Sequence, residues 1–353
     1  MLFARTFHTI CIATFLILFA GSCANDPVAA EVNPFASIKA DNPKDSLFEV
    51  LKIAGQDTFR AQALASLCWE FRRNNPDTAM ILGKQAVELS NQLQYLQGMA
   101  KSNGNLGVVY RLVGDYKNAI IHNQLALEYG TALHDSELIA TATGNLGTVY
   151  YTQGNYPRAF EHFLAALKFA EAQQDTGSMA VQLGNIGSVF IFKGDPDSSI
   201  HYFRRALTLD QAVHDSAGIA FDLSGIASAY GKLEIADSAL AYYLDAYDIE
   251  KSKGSKYGLE RVIGNIGTCW AQRGDLIADK ASQQIYFDSA IAYYERAIVI
   301  AGEISDRRGE ALNIGNLGRI YSNMKQYARA ETLLLEAIRI TDSLGVLESQ
   351  KED

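Results

Sequence analysis

Gly144-Asn145-Leu146-Gly147-Thr148-Val149-Tyr150 decides the fold of this chain, because the sequence keeps returning to it. GNLGVVY begins at Gly104, GNIGSVF at Gly184, SGIASAY at Ser224, GNIGTCW at Gly264 and GNLGRIY at Gly315. The copies stand 40 residues apart as far as Gly264, and the last step is 51. Self-similarity at such a period marks a solenoid, in which each unit buries its apolar face only against its neighbours. Length alone, 353 residues, suggests two domains, but a solenoid grows by addition and needs no second core.

The third unit is the clearest. Thr143, Leu146, Gly147 and Tyr150 recur at i, i+3, i+4 and i+7, so they share one face of a helix. Gly154-Asn155 then interrupts the pattern, as turn residues do. A second helix follows with Ala159, Phe163, Ala166 and Ala170 on one stripe, ending near Gln173. Asp175 or Thr176 is placed to cap the next helix through a side-chain oxygen. The same punctuation returns at Asp135-Ser136 and Asp215-Ser216, and turn glycines are expected at Gly114, Gly154, Gly194 and Gly274.

This pattern resembles the tetratricopeptide repeat. Leu146, Gly147 and Tyr150 match that family's first-helix signature, and Ala159, Phe163 and Ala166 its second. Equivalent sets are Leu106, Gly107, Tyr110, Ala119 and Ala126, and later Leu317, Gly318, Tyr321, Ala330 and Ala337. The resemblance implies an all-α fold: a right-handed α-solenoid superhelix of antiparallel helix pairs. Seven repeats are expected within residues 59–345, beginning near Phe59, Gly98, Leu138, Ser178, Gly218, Gly258 and Gly309. A capping segment over residues 45–58 precedes them and a polar tail over residues 346–353 follows. The sixth repeat carries eleven additional residues, Leu276–Tyr286. Eleven residues make almost three helical turns, so both helices can lengthen in register; a protruding loop is the alternative.

In tetratricopeptide superhelices the first helices line the concave surface, so the resemblance places one face of each in a groove. That face carries Asn105, Asn145, Asn185, Asn265 and Asn316 in the second, third, fourth, sixth and seventh repeats. Val108, Leu112, Val181, Phe192 and Phe221 make its amino-terminal half apolar, whereas Lys232, Arg261 and Arg319 lie toward the other end. An asparagine amide offers an acceptor and two donor hydrogens, enough to read a peptide backbone whatever its side chains. The other reading of the row is a solvated face whose asparagines bond neighbouring helices. The Lys/Arg–Asn clamp by which some family members hold chaperone tails is not reproduced.

The amino terminus reads as an export signal: Arg5 is the only formal charge in residues 1–22, and an apolar run, Thr9–Ala20, follows it. About a dozen apolar residues are too few to span a bilayer. Ala20-Gly21-Ser22-Cys23 resembles a bacterial lipobox, which implies lipidation of Cys23, although the family prefers Leu where Ala20 stands. The alternative is a plain secretory signal cut near Ala20 or Ser22, leaving the protein soluble in the periplasm or outside. Loss of residues 1–22 removes Arg5 and takes the formal charge from −9 to −10. Residues 23–44 hold Pro27, Pro34 and Pro43 without any period, a composition suited to a tether. Cys68 and Cys269, five repeats apart, read as small core side chains.

An acidic chain with no Lys/Arg cluster is a poor candidate for nucleic acid, and the membrane is reached through the lipid alone. No metal or cofactor spacing is present. His134 and His214 each open a His-Asp-Ser sequence, but both fall at the same point of successive repeats, where Asp and Ser cap helices. The expected function is therefore non-enzymatic: an envelope lipoprotein that captures a protein or peptide in its groove. The alternative is the sensing part of a bacterial signalling system acting through a separate kinase or transcription regulator. Ala330, Leu333, Leu334, Ala337 and Ile340 on the last helix suggest an uncovered face that pairs with a partner or a second copy.

Overall fold

The computed structural model describes residues 43–349, all helices and short turns. Cys23 and the segment before it lie outside the described residues. A first helix, α1 (Pro43–Ile53), packs on the first repeat, with Val50 buried and Leu51 against Leu64 and Leu89. Seven antiparallel pairs follow. They are α2 (Thr58–Phe71) with α3 (Pro76–Gln92), α4 (Leu96–Leu112) with α5 (Tyr116–Ala132), and α6 (Ser136–Thr152) with α7 (Tyr156–Gln173). Next come α8 (Thr176–Lys193) with α9 (Pro196–Ala212) and α10 (Ser216–Lys232) with α11 (Ala236–Ser252). The last two are α12 (Lys256–Asp275) with α13 (Lys280–Glu303), and α14 (Arg307–Asn323) with α15 (Tyr327–Ser349).

Local chemistry sets where the helices begin and end. Asp115, Asp135, Asn155, Asp175, Asp195 and Asp215 each accept a hydrogen bond from a backbone N–H in the first turn of the helix they precede. Each such cap stabilises its helix by about 1 kcal/mol. The residue before the cap turns the chain through left-handed backbone, at Gly154 with φ 74° and at His134 and His214 with φ 53° and 56°. The two His-Asp-Ser sequences are thus a turn residue followed by a cap, in two separate repeats.

Close approach inside each pair explains the second glycine of the repeated motif. A Cβ on Gly147 would lie 2.7 Å from the ring of Phe163, and one on Gly187 would lie 2.9 Å from that of Phe203. Phe163 and Phe203 fill the space left by the missing side chains and are fully buried. Burying such a ring contributes about 1.5–3 kcal/mol.

The sixth repeat departs from its expected turn. Gly274 lies inside α12, where a Cβ would meet Phe287 at 2.7 Å, and it turns no corner. α12 has 20 residues and α13 has 24, against 17 in α10 and α11, so most of the insertion is helical and Leu276–Asp279 connects the two. Gly267 against Tyr294 and Gly274 against Phe287 are the same contact made twice, seven residues on in one helix and seven back in the other. The insertion adds a packing layer.

The carboxyl-terminal face also differs from expectation. Ala330, Leu333, Ala337 and Ile340 pack on α13 and α14, because the second helix of a pair turns its inner stripe to its own partner. What α15 leaves open is Tyr327, Leu334, Leu335 and Ile338.

Candidate functional site

Each repeat packs mainly through its second helix on the first helix of the next, and most successive first helices also touch one another. α2 touches α4, α4 touches α6, α6 touches α8, α8 touches α10, and α12 touches α14. Second helices of successive repeats make no comparable contact among the described residues. Helices that stay close together lie on the inside of a curved stack and those that splay lie outside, so the first helices form the inner wall.

On that wall Asn145, Asn185, Asn265 and Asn316 are half-buried. Among the described residues their side-chain amides make no hydrogen bond, so each keeps an acceptor and two donor hydrogens for a ligand. Asn105 differs: its Nδ2 donates to the backbone carbonyl of Ala65 at 2.8 Å and ties α4 to α2. The hydroxyls one turn along are satisfied internally. Thr148 donates to the Gly144 carbonyl at 3.0 Å, Ser188 to that of Gly184 at 3.1 Å and Thr268 to that of Gly264 at 3.2 Å. The wall therefore presents free amides framed by spent hydroxyls.

The apolar and basic residues are not segregated as their order along the chain suggests. Arg261 sits 5.8 Å from the ring of Phe221, so the two form one mixed patch. Phe221 also meets Phe203 edge-on at 5.9 Å. Val108 is buried and lines nothing. Phe192 is 58% exposed and stacks on Tyr156 at 5.2 Å, with Tyr151 edge-on at 5.6 Å. Arg319 is held by Asp275 at 3.3 Å, and the same carboxylate accepts from Asn323 at 2.8 Å.

The buried carboxyls on this stack were not singled out from the sequence. Asp210 and Asp222 meet at the junction of α9 and α10, and burial followed by the charge of Asp210 pushes Asp222 up to about 9. Glu260 in α12 is pushed up to about 7 by burial and then by Asp306. The signal was an acid on an otherwise apolar or small-residue stripe. Cys68 and Cys269 are buried free thiols, each pushed up to about 12 by burial. Among the described residues no group of three His, Cys, Asp or Glu is placed to hold a metal ion. No described helix is long and apolar enough to cross a membrane.

The stacked helix pairs form an α-solenoid whose inner wall carries free amides. Residues 98–172, 183–213 and 314–342 match models of the tetratricopeptide repeat. No curated protein matches the sequence. Among solved structures, a Rap protein complexed with competence and sporulation factor superposes with a TM-score of 0.65 at 14% identity, covering 90% of this chain and 82% of that one. The apo quorum sensor NprR from B. thuringiensis gives 0.61 at 16%, covering 84% and 80%. A signal-transduction ATPase of the STAND class from Pyrococcus horikoshii, with a tetratricopeptide repeat sensor, gives 0.57 at 14%, covering 87% of this chain and 45% of that one. At such identities the likeness is one of fold.

Proposed function

We propose that this protein is a non-enzymatic scaffold that captures an extended or helical segment of a partner protein along its inner wall. The observation that carries this reading is the set of unbonded amides on Asn145, Asn185, Asn265 and Asn316, presented by the first helices of the third, fourth, sixth and seventh repeats, with Gly225 at the equivalent place in the fifth. Amides spaced one or two repeats apart suit a backbone, which offers N–H and C=O groups at every residue. The Phe221–Arg261 patch adds an apolar contact of about 25 cal/mol per Å² covered, with a charge that favours an acidic neighbour. We place the scaffold at the bacterial envelope, anchored through lipid on Cys23, on the strength of Ala20-Gly21-Ser22-Cys23 and the tether behind it. A second copy is the proposed occupant of the open α15 stripe.

A second reading, the sensing part of a signalling system with a separate output partner, draws support from the kinds of protein that share the fold. Those neighbours include a Rap protein bound to competence and sporulation factor, a quorum sensor and the sensor of a signal-transduction ATPase. Cross-linking in native membranes, purification and mass spectrometry of partners separates the two. Envelope or secretion components cross-linked through the inner wall support capture; a kinase or regulator supports sensing. Cross-links confined to the outer second helices would sink the inner-wall reading.

A further inference from the structure

We propose that the spiral carries an anion site where it meets itself, at which Arg73 and Arg111 grip a carboxylate of an acidic partner segment and fasten repeat 6 to repeats 1 and 2. This deepens the capture reading and rests on it. Arg73 follows α2 directly, and its guanidinium lies 4.8 Å from the ring centre of Tyr257 in the first turn of α12. The spiral therefore comes round on itself between the first repeat and the sixth. Arg111, in the last turn of α4, belongs to the same place. Burial, and next the charge of Arg73, holds its guanidinium below the usual range, while the rings of Tyr116 and Tyr257 act in the opposite sense.

Three groups from three repeats thus gather at one seam, two of them cationic. Three cations of the sixth and seventh repeats have acids across their helices: Arg273 has Asp237 at 3.0 Å, Lys256 has Glu303 at 2.9 Å and Arg319 has Asp275 at 3.3 Å. Neither Arg73 nor Arg111 makes an ion pair or hydrogen bond among the described residues. The chain has 40 acidic residues against 31 basic ones, so acids are not scarce. Arg73 is exposed and Arg111 half-buried; like charges brought together repel, and an anion between them turns the repulsion into attraction. Guanidinium forks fit the two oxygens of a carboxylate, and the Tyr257 ring holds Arg73 in place by cation–π attraction. Binding and closure of the seam are then one event, because the ligand bridges repeats distant in sequence.

The test uses the full chain, at low salt, with capped hexaglutamate as probe and with capped hexaglutamine and inorganic phosphate as comparison arms. Calorimetry is expected to show binding of hexaglutamate alone, weakened about tenfold or more in Arg73→Gln/Arg111→Gln. Arg329→Gln, which removes a cation lying over Tyr321 on the last repeat, is expected to change nothing. Small-angle scattering should show the wild type contracting with hexaglutamate and the double variant not. Circular dichroism checks the fold, and either single variant serves if the double one unfolds. Equal affinity in the double variant overturns the proposal, and so does phosphate binding as tightly as the peptide. If the double variant loses hexaglutamate but keeps the cross-linked natural partner, the seam plays no part in capture and the inner-wall reading still stands.

Discussion

Asn313 donates its Nδ2 hydrogen to Glu260 Oε1 at 2.7 Å, joining the seventh repeat to the sixth through two buried side chains. The bond favours the charged carboxylate, yet burial and Asp306 outweigh it and leave Glu260 at about 7. A folded-state value above the free value of 4.5 means that the native protein holds the proton more tightly than the unfolded chain. Its stabilising effect is therefore complete below about pH 4.5 and is lost as pH rises through about 7. Asp222, raised from 3.8 to about 9, extends the same trend upward. The melting temperature should fall between about pH 5 and pH 8. Glu260→Gln keeps the acceptor for Asn313 and removes up to about 3 kcal/mol of this dependence. A flat pH profile in the wild type would contradict the assignment.

The two glycines of the repeated motif should respond oppositely to alanine. A Cβ on Gly104 meets only Ala126, at 3.8 Å, so Gly104→Ala should raise stability by up to about 1 kcal/mol through helix propensity. Gly147→Ala forces the Phe163 ring to move, and overpacking of about 1–3 kcal/mol exceeds that gain. Urea midpoints of the two variants should bracket the wild type. Matching midpoints would show that the second glycine is not a packing requirement.

Asn145→Ala plus Asn185→Ala should weaken partner capture without loss of helix. Each hydrogen bond contributes about 0.5–1.5 kcal/mol, so the pair should cost between about fivefold and a hundredfold in affinity. Arg261→Glu should weaken capture mainly at low salt. Asn105→Ala belongs to another class: it frees the Ala65 carbonyl and should lower stability. Wild-type affinity in both groove variants, with normal folding, would move the binding site elsewhere.

Cys23→Ser should shift the protein from the detergent phase to the aqueous phase in a membrane partition assay. Mass spectrometry of the wild type should find acyl chains on Cys23. An aqueous wild type without them would show that export ends in a soluble protein.

The open stripe on α15 should make the protein self-associate. Leu334, Leu335 and Ile338 are 39%, 46% and 54% exposed and lie within two turns of one helix. Light scattering should give a dimer, and Leu335→Glu plus Ile338→Glu a monomer of equal helicity. A monomeric wild type at high concentration would rule the pairing out.

Helix pairs, their seven-fold repetition and their caps were legible in the chain because each rests on residues within a few turns of one another. A 3.6-residue stripe, an aspartate before a helix and a glycine facing an aromatic in the paired helix act locally. Gly274 misled because a turn glycine and a packing glycine look alike until the partner helix supplies Phe287. The row of asparagines was legible as a row, but Asn105 could be separated from the others only by the position of the Ala65 carbonyl.

What the sequence by itself determined is the repeating unit and which face of it packs. Only the tertiary structure decided that Phe221 meets Arg261, that Asp210 meets Asp222, and that Arg73 reaches Tyr257. Those meetings depend on the rotation between one repeat and the next. That angle comes from the summed volumes of many small core side chains, and across five repeats it accumulates into the closure of the spiral. No single residue encodes it, so no motif announces it.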